Sequence, residues 1–127
     1  MLQLSNYAWL GRRLTLNRMN PLDYHVLLAL ADGPLHGYAI KDAVARESDG
    51  VLTPPAGSLY RVVARLLTAR LLVEVAGEPG AEAHPGLARR YYALTPAGRR
   101  ALTAEAARLK RTASVAEKRL GLARGRP

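Results

Sequence analysis

Three proline-containing segments constrain the fold of this chain more than any other feature of its sequence. Asn20-Pro21 and Thr95-Pro96 each place a capping side chain before a proline, which is typical of the first residues of a helix. Asp23 adds a favourable negative charge to the first turn of the earlier helix. Thr53-Pro54-Pro55 indicates another helix that begins just after it. These signals predict a mainly helical chain.

Turn residues between these starts predict the remaining elements. Asp32-Gly33-Pro34 and Ser48-Asp49-Gly50 indicate the ends of two helices. Helices are predicted at residues 21–31, 37–47, 56–70 and 96–120, and strands at 71–75 and 89–94, around a loop at 76–88 with three Gly and two Pro. Three helices followed by a two-stranded wing is the order of a winged helix-turn-helix. The predicted fold class is therefore mainly α with a small β-hairpin and a long C-terminal dimerisation helix.

The length of the chain, 127 residues, provides for one domain and a helical extension. We predict an N-terminal extension at residues 1–18, either an extra helix or disordered, and a winged-helix domain at 19–95. A dimerisation helix at 96–120 and a basic disordered tail at 121–127 would follow. The sequence has no cysteine for disulfides, and it shows neither a membrane-length apolar run nor a signal peptide. A cytoplasmic protein is expected.

The positive charge of the chain lies at its two ends. The net charge is +9, and residues 97–127 carry nine basic and two acidic residues, while residues 1–20 carry three Arg and no acid. The stretch between them, residues 21–96, carries seven basic and eight acidic residues. High total charge suits a solvated surface as well as nucleic acid. A DNA-binding interpretation of the middle of the chain therefore depends on where its few Arg side chains point.

The predicted third helix has an apolar face and a cationic face. At 100° per residue, a core stripe is formed by Leu59, Val62, Val63 and Leu66. The opposite face consists of Gly57, Arg61, Ala64, Arg65 and Thr68, flanked by Ser58 and Tyr60. Small residues let a helix approach a duplex closely, and Arg binds phosphate or guanine edges. On the wing, Arg89 and Arg90 alternate in direction, so at least one points outward. A solvated helix face would show the same residues, and that alternative stays open.

Three stretches of the sequence resemble the PadR-like transcriptional regulators. They are LLALADGPLHGYAI at residues 27–40, GSLYRVVARLLTARLL at 57–72 and RRYYALTPAGRRAL at 89–102. Their order and spacing match those of the family, and the resemblance covers about residues 20–102. It implies a homodimeric, repressor-like protein whose third helix enters the major groove, whose wing touches the backbone and whose last helix dimerises.

Carried over by position, the resemblance puts Tyr38, Ser58, Tyr60 and Arg61 at the DNA, with Arg89 on the wing. The chain departs from the family pattern at the end of the third helix, where the usual glycine is absent and Arg70 stands nearby. Relatives often shape a ligand pocket with bulky residues on the last helix, which here is mostly Ala and Leu. A small-molecule effector is therefore left open and unidentified.

The last helix carries a heptad pattern typical of a narrow coiled-coil seam. Its members are Leu102, Ala106, Leu109, Ala113, Ala116 and Leu120. Trp9, in the N-terminal extension, would complete the interface. Packing of this seam against the first helix of the same chain is the alternative. A two-fold interface would set the paired third helices about 34 Å apart, one DNA turn, and would predict a near-palindromic operator.

No enzyme, metal site or cofactor is expected from this sequence. The three histidines, His25, His36 and His84, are far apart and lack the spacing of metal ligands. His36 is interpreted as part of the turn into the second helix. Ser58 has no neighbouring general base in the sequence. The predicted partners are double-stranded DNA and a second copy of the chain. The alternatives are a winged-helix module that binds a protein instead of DNA and a basic RNA-associated protein.

Overall fold

The computed structural model describes residues 19–77 and 90–122. Within these ranges, the elements are α1 (Pro21–Ala29), β1 (Leu35–His36), α2 (Gly37–Glu47), α3 (Ala56–Thr68), β2 (Leu72–Val75), β3 (Tyr91–Leu94) and α4 (Pro96–Arg119). The predicted fold class is confirmed, and every predicted helix is present with its start where the sequence indicates. The predicted extension, most of the loop, Trp9, His84 and Arg89 lie outside the described residues.

Side-chain caps fix where α1 and α4 begin. The side chain of Asn20 accepts a hydrogen bond from the Asp23 amide at 2.8 Å, and the Asp23 carboxylate accepts one from the Asn20 amide at 3.4 Å. This reciprocal arrangement is a capping box. At α4, the Thr95 hydroxyl accepts a hydrogen bond from the Gly98 amide at 2.9 Å. Both starts follow from local sequence, because each cap lies three residues from its partner.

The sheet has one strand more than the sequence predicted. β3 lies between β1 and β2, antiparallel to both, with Leu35 opposite Tyr92 and Leu72 opposite Leu94. β1 has only two residues, which is too short for any periodic pattern to reveal. His36, expected in the turn into the second helix, belongs to β1, and its Nδ1 also caps α2 by accepting from the Ala39 amide at 3.2 Å.

One hydrophobic core joins the helices to the sheet. The predicted stripe of α3 is confirmed, since its four members are at most 6% exposed. α1 contributes Val26 and Leu27, and its C-cap residue is Leu30; all three are fully buried. Tyr92 of β3 is buried in the same core. Leu102 of α4, predicted as the first residue of the dimer seam, also belongs to this core at 9% exposure. The start of α4 therefore packs on its own chain, where α4 contacts both α1 and β3.

A close joint connects the end of α3 to the start of α4. Arg70 adopts a left-handed conformation with φ of 64°, the position that glycine usually fills after a helix. The Leu71 amide donates to the Leu66 carbonyl at 2.9 Å, which completes a Schellman motif. The Thr95 amide and hydroxyl then donate to the carbonyls of Leu71 and Arg70, at 3.0 and 2.7 Å. The two helices are thus joined by one backbone hydrogen bond and one from the Thr95 side chain.

The second half of α4 extends beyond the core. Every residue from Ala106 to Arg119 is exposed, including Leu109 and Val115. Fourteen helical residues span about 21 Å. No helix within the described ranges is long and apolar enough to cross a membrane.

Candidate nucleic-acid interface

The outer face of α3 is cationic and flat. Gly57, Arg61, Ala64 and Thr68 are all exposed, and Tyr60 is 41% exposed beside them. No acidic residue occurs in α3, and a Cβ on Gly57 would meet nothing within 4 Å. Ser58 is half-buried at the edge of this face. Apart from Arg61 and Tyr60, the exposed residues of this face are small, which lets another surface approach the helix backbone closely.

The N-terminus of α3 differs from those of the other helices. Pro55 is its N-cap residue and supplies no side-chain hydrogen bond, whereas Asn20, His36 and Thr95 cap the other three. The first amides of a helix carry partial positive charge and attract anions. Within the described part of the chain, the first turn of α3 therefore offers backbone donors next to the Arg61 face.

Arg65 does not lie as the sequence predicted. Its guanidinium binds the carboxylate of Asp23 on α1, and the Asp23 side chain is only 2% exposed. Burial raises the pKa of Asp23, because loss of solvation outweighs the attraction of the Arg65 charge. The predicted placement of Arg65 on the open face is thus corrected: its charged end is engaged within the fold. Sequence reasoning missed this pair because its members are 42 positions apart.

The wing begins beside α3. Arg90 is exposed immediately before β3, and its guanidinium lies 3.3 Å from the Glu74 carboxylate on β2. Burial raises the pKa of Tyr92, and the neighbouring Tyr60 and Glu74 raise it further, while Arg90 lowers it. Glu74 is the acid that sequence reasoning did not place here.

The other predicted DNA contact in the described residues, Tyr38, lies in the first turn of α2 and is 53% exposed. An exposed tyrosine presents both an apolar ring and a hydroxyl donor.

The remaining seam residues predicted on α4 lie on its projecting half. Ala106, Leu109, Ala113, Ala116 and Leu120 are exposed, with Leu120 at 69%. Glu105, just before them, is buried at 3% exposure and binds the Arg108 guanidinium at 3.0 and 2.5 Å. This hydrogen-bonded contact raises the pKa of Arg108. It marks the point where α4 leaves the core.

Titratable side chains do not form a metal centre in residues 19–77 and 90–122, where no three His, Asp or Glu lie close enough to bind one ion. The histidines of this part are used otherwise: His36 caps α2 and stacks edge-on against Tyr91, and His25 packs edge-on against Tyr24.

Comparison with known proteins identifies what this arrangement resembles. The sequence model of a family described as "Transcriptional regulator PadR-like family" matches residues 26–104. A protein described as "Uncharacterized 37.1 kDa protein in transposon TN4556", from Streptomyces fradiae, is 47% identical over 89 residues. That match covers 70% of this chain but 23% of the Streptomyces protein, so this chain corresponds to about a quarter of its curated relative.

Solved structures share the fold. A PadR-like transcription factor from Bacteroides fragilis is 26% identical, with a TM-score of 0.62 over 82% of this chain and 94% of that one. Bacillus subtilis PadR, solved in complex with operator DNA, is 21% identical, with a TM-score of 0.54 over 66% of this chain and 45% of that one.

Proposed function

This chain belongs to the PadR-like family of transcriptional regulators, and from that premise we propose that it is a sequence-specific, homodimeric repressor that binds double-stranded DNA. In this proposal α3 enters the major groove and the wing contacts the neighbouring backbone. The observation that carries the proposal is the outer face of α3, where exposed Arg61 stands among small residues on a helix without acids.

The chemistry of this face suits a duplex better than it suits a protein. Arg61 can reach a phosphate or the edge of a guanine, and Tyr60 can donate its hydroxyl to the backbone. The uncapped first turn of α3 offers amides to a phosphate. Tyr38, Ser58, Thr68, Arg89 and Arg90 are proposed as further DNA contacts. A protein partner would be expected to favour an apolar or aromatic centre instead, whereas the one large hydrophobic side chain that α3 exposes, Tyr60, lies next to Arg61 in the sequence.

The projecting half of α4 supports the homodimer. Fourteen residues of helix with no core beneath them are marginal in isolation, because short helices gain most of their stability from packing. A second copy would cover Ala106, Leu109, Ala113, Ala116 and Leu120, so the proposed seam begins after Leu102. This assigns residues 19–95 and the start of α4 to DNA binding and the rest of α4, to residue 120, to dimerisation. A near-palindromic operator follows from the two-fold axis.

The relatives add a consistent precedent. Bacillus subtilis PadR, which shares this fold, has been solved with its operator DNA. Repression fits a protein that occupies an operator. A small-molecule effector, unidentified, would be the remaining partner.

Fluorescence anisotropy tests the proposal. The labelled duplex is the DNA immediately upstream of the protein's own coding sequence, with a scrambled duplex of equal length, over a salt series. We expect tighter binding to the native duplex by about a thousandfold or more. Arg61→Ala and Tyr60→Ala should remove most of this preference. Lys118→Ala, which removes one exposed charge near the end of α4, is the matched control and should leave the preference unchanged.

Three outcomes would contradict the proposal. Equal, steeply salt-dependent binding to both duplexes would identify a non-specific basic protein, since phosphate contacts alone carry no sequence information. No binding to either duplex at low salt would favour a winged-helix module that binds a protein. Preferential binding to single-stranded RNA would favour the RNA-associated alternative.

A further inference from the structure

A partly buried ion pair connects α3 to α1. The guanidinium of Arg65 binds one oxygen of the Asp23 carboxylate, and the other oxygen accepts from the Asn20 amide at 3.4 Å. Asp23 is 1% exposed, and Arg65 keeps 34% of its side chain exposed. The carboxylate thus has one partner on α3 and one in the capping box of α1.

This pair is poorly suited to stabilising the fold. Burying a carboxylate is costly, and even a well-paired buried ion pair is often no more stable than apolar residues of the same volume. For Asp23 the cost of burial exceeds the attraction of Arg65, which is why its pKa is raised. The pair instead fixes the orientation of α3 relative to α1, because it holds one edge of α3 at a fixed place on α1.

The position of Arg65 on α3 determines which motion of α3 the ion pair restricts. Arg65 lies one helical turn after Arg61 and next to the outer face, so its tether limits how α3 can rotate about its axis. The same α1 also packs against α4. An α3 held on α1 is therefore held relative to the proposed dimer helix as well.

We propose that Asp23 is a positioning residue for DNA reading: through Arg65 it fixes the rotation of α3, so that Arg61 and Tyr60 face the groove in register. This inference rests on the proposed function. Arg65 is then a structural cation and not a phosphate contact, and Asp23 contributes to sequence preference without touching DNA.

The competing role, Arg65 as a phosphate contact, makes the opposite prediction for Asp23→Asn. If Asp23 merely diverts Arg65 from DNA, Asp23→Asn releases the guanidinium and tightens binding to every duplex. If Asp23 positions α3, Asp23→Asn weakens binding to the native duplex only. Asparagine keeps the size of the side chain and can still accept the Asn20 amide, so α1 retains its cap.

The experiment measures the anisotropy of native and scrambled duplexes, over a salt series, with the parent chain, Asp23→Asn, Arg65→Met and the double variant. Far-UV circular dichroism and urea unfolding are recorded for each. We expect each variant to lose about tenfold or more of the preference for the native duplex, a loss comparable to one misplaced base contact. Affinity for the scrambled duplex should stay within about twofold of that of the parent chain. The slope of affinity against salt concentration should be unchanged within measurement error.

The double variant keeps the test decisive if a single variant unfolds. Arg65→Met leaves a buried, unpaired carboxylate, whereas the double variant removes both charges and should be about as stable as the parent chain. A merely structural pair predicts that a stable double variant also keeps its preference. Positioning predicts that it loses the preference despite its stability.

The results separate the possible failures. A parent chain without preference for the native duplex would overturn the proposed function. A parent chain with preference, and a folded double variant that keeps it, would overturn the positioning role alone. Tighter binding by Asp23→Asn, with a salt slope lowered by about one per copy in Arg65→Met, would show that Arg65 is a phosphate contact.

Discussion

Substitution of Gly98, even by alanine, should strongly lower the stability of this fold. It lies in the first turn of α4, buried against the chain that leaves α3. A Cβ on Gly98 would overlap the carbonyl oxygen of Leu71 and would lie 3.0 Å from its carbonyl carbon. Both atoms belong to the backbone, so a change of side-chain rotamer cannot relieve the overlap. Gly98→Ala therefore forces α4 away from Leu71.

The magnitude follows from what that movement breaks. Overpacking costs about 1–3 kcal/mol. The Thr95 amide and hydroxyl bonds to Leu71 and Arg70, at 3.0 and 2.7 Å, contribute about 1 kcal/mol each and would stretch or break. Alanine returns about 1 kcal/mol through its better helix propensity. Gly98→Ala should thus lower the free energy of unfolding by about 2–4 kcal/mol.

Urea unfolding followed by far-UV circular dichroism measures this change, at one fixed protein concentration because a dimer's stability depends on concentration. The midpoint should fall with little change in the slope m. Gly57→Ala is the matched control: it lies in the first turn of α3 with nothing within 4 Å of a Cβ. That variant should be unchanged or more stable by up to about 1 kcal/mol. Equal midpoints for the two variants would refute the reasoning from the joint.

Three further predictions concern single side chains. Arg70→Gly should raise the free energy of unfolding, measured in urea, by up to about 1 kcal/mol. The reason is that a left-handed φ of 64° strains a residue with a side chain, whereas glycine adopts it freely. A lower midpoint for the variant would contradict this prediction. Glu74→Gln should tighten binding to native and scrambled duplexes alike, by about two- to fivefold at low salt as measured by anisotropy. The substitution frees Arg90 from its ion pair and removes a negative charge from the proposed DNA-facing wing. Weaker binding would show instead that Glu74 supports the wing. Burial raises the pKa of Asp23, so the folded chain holds this proton more tightly than the unfolded chain. Its contribution to stability is then fully present below the ordinary pKa of an aspartate and is lost as the pH rises through the raised value. Urea midpoints of the parent chain and Asp23→Asn, compared between about pH 4 and 7, should diverge in that direction, and parallel curves would refute it.

The local part of the fold could be predicted from the sequence because its causes are local. Asn20-Pro21 and Thr95-Pro96 carry their caps within three residues, and the structure has both helices begin there. The core stripe of α3 follows from spacing along one helix. The resemblance to the PadR-like family, confirmed by the match over residues 26–104, supplied the arrangement of these pieces.

The interactions that hold the candidate site could not be predicted in the same way. Arg65 and Asp23 are 42 positions apart, and helical spacing alone gave both Arg61 and Arg65 the same open face. Only the packing of α3 on α1 distinguishes them. Leu102 likewise satisfies a heptad pattern and a core position at once, and the choice between the two depends on how α4 leans on α1. Periodicity identifies a face but does not say which neighbour covers it.

The two ties on α3 explain how a small domain could read DNA with precision. At its C-terminal end, α3 is joined to α4 through the backbone contacts of Leu71 and Thr95. Along its side, α3 is held to α1 through Arg65 and Asp23, and α1 packs on α4 in turn. In the proposed dimer, α4 sets the distance between the two copies. Because turning or sliding α3 would break one of these ties, the fold would fix the distance and rotation of the two α3 helices in the proposed dimer, and a match to one operator spacing would follow.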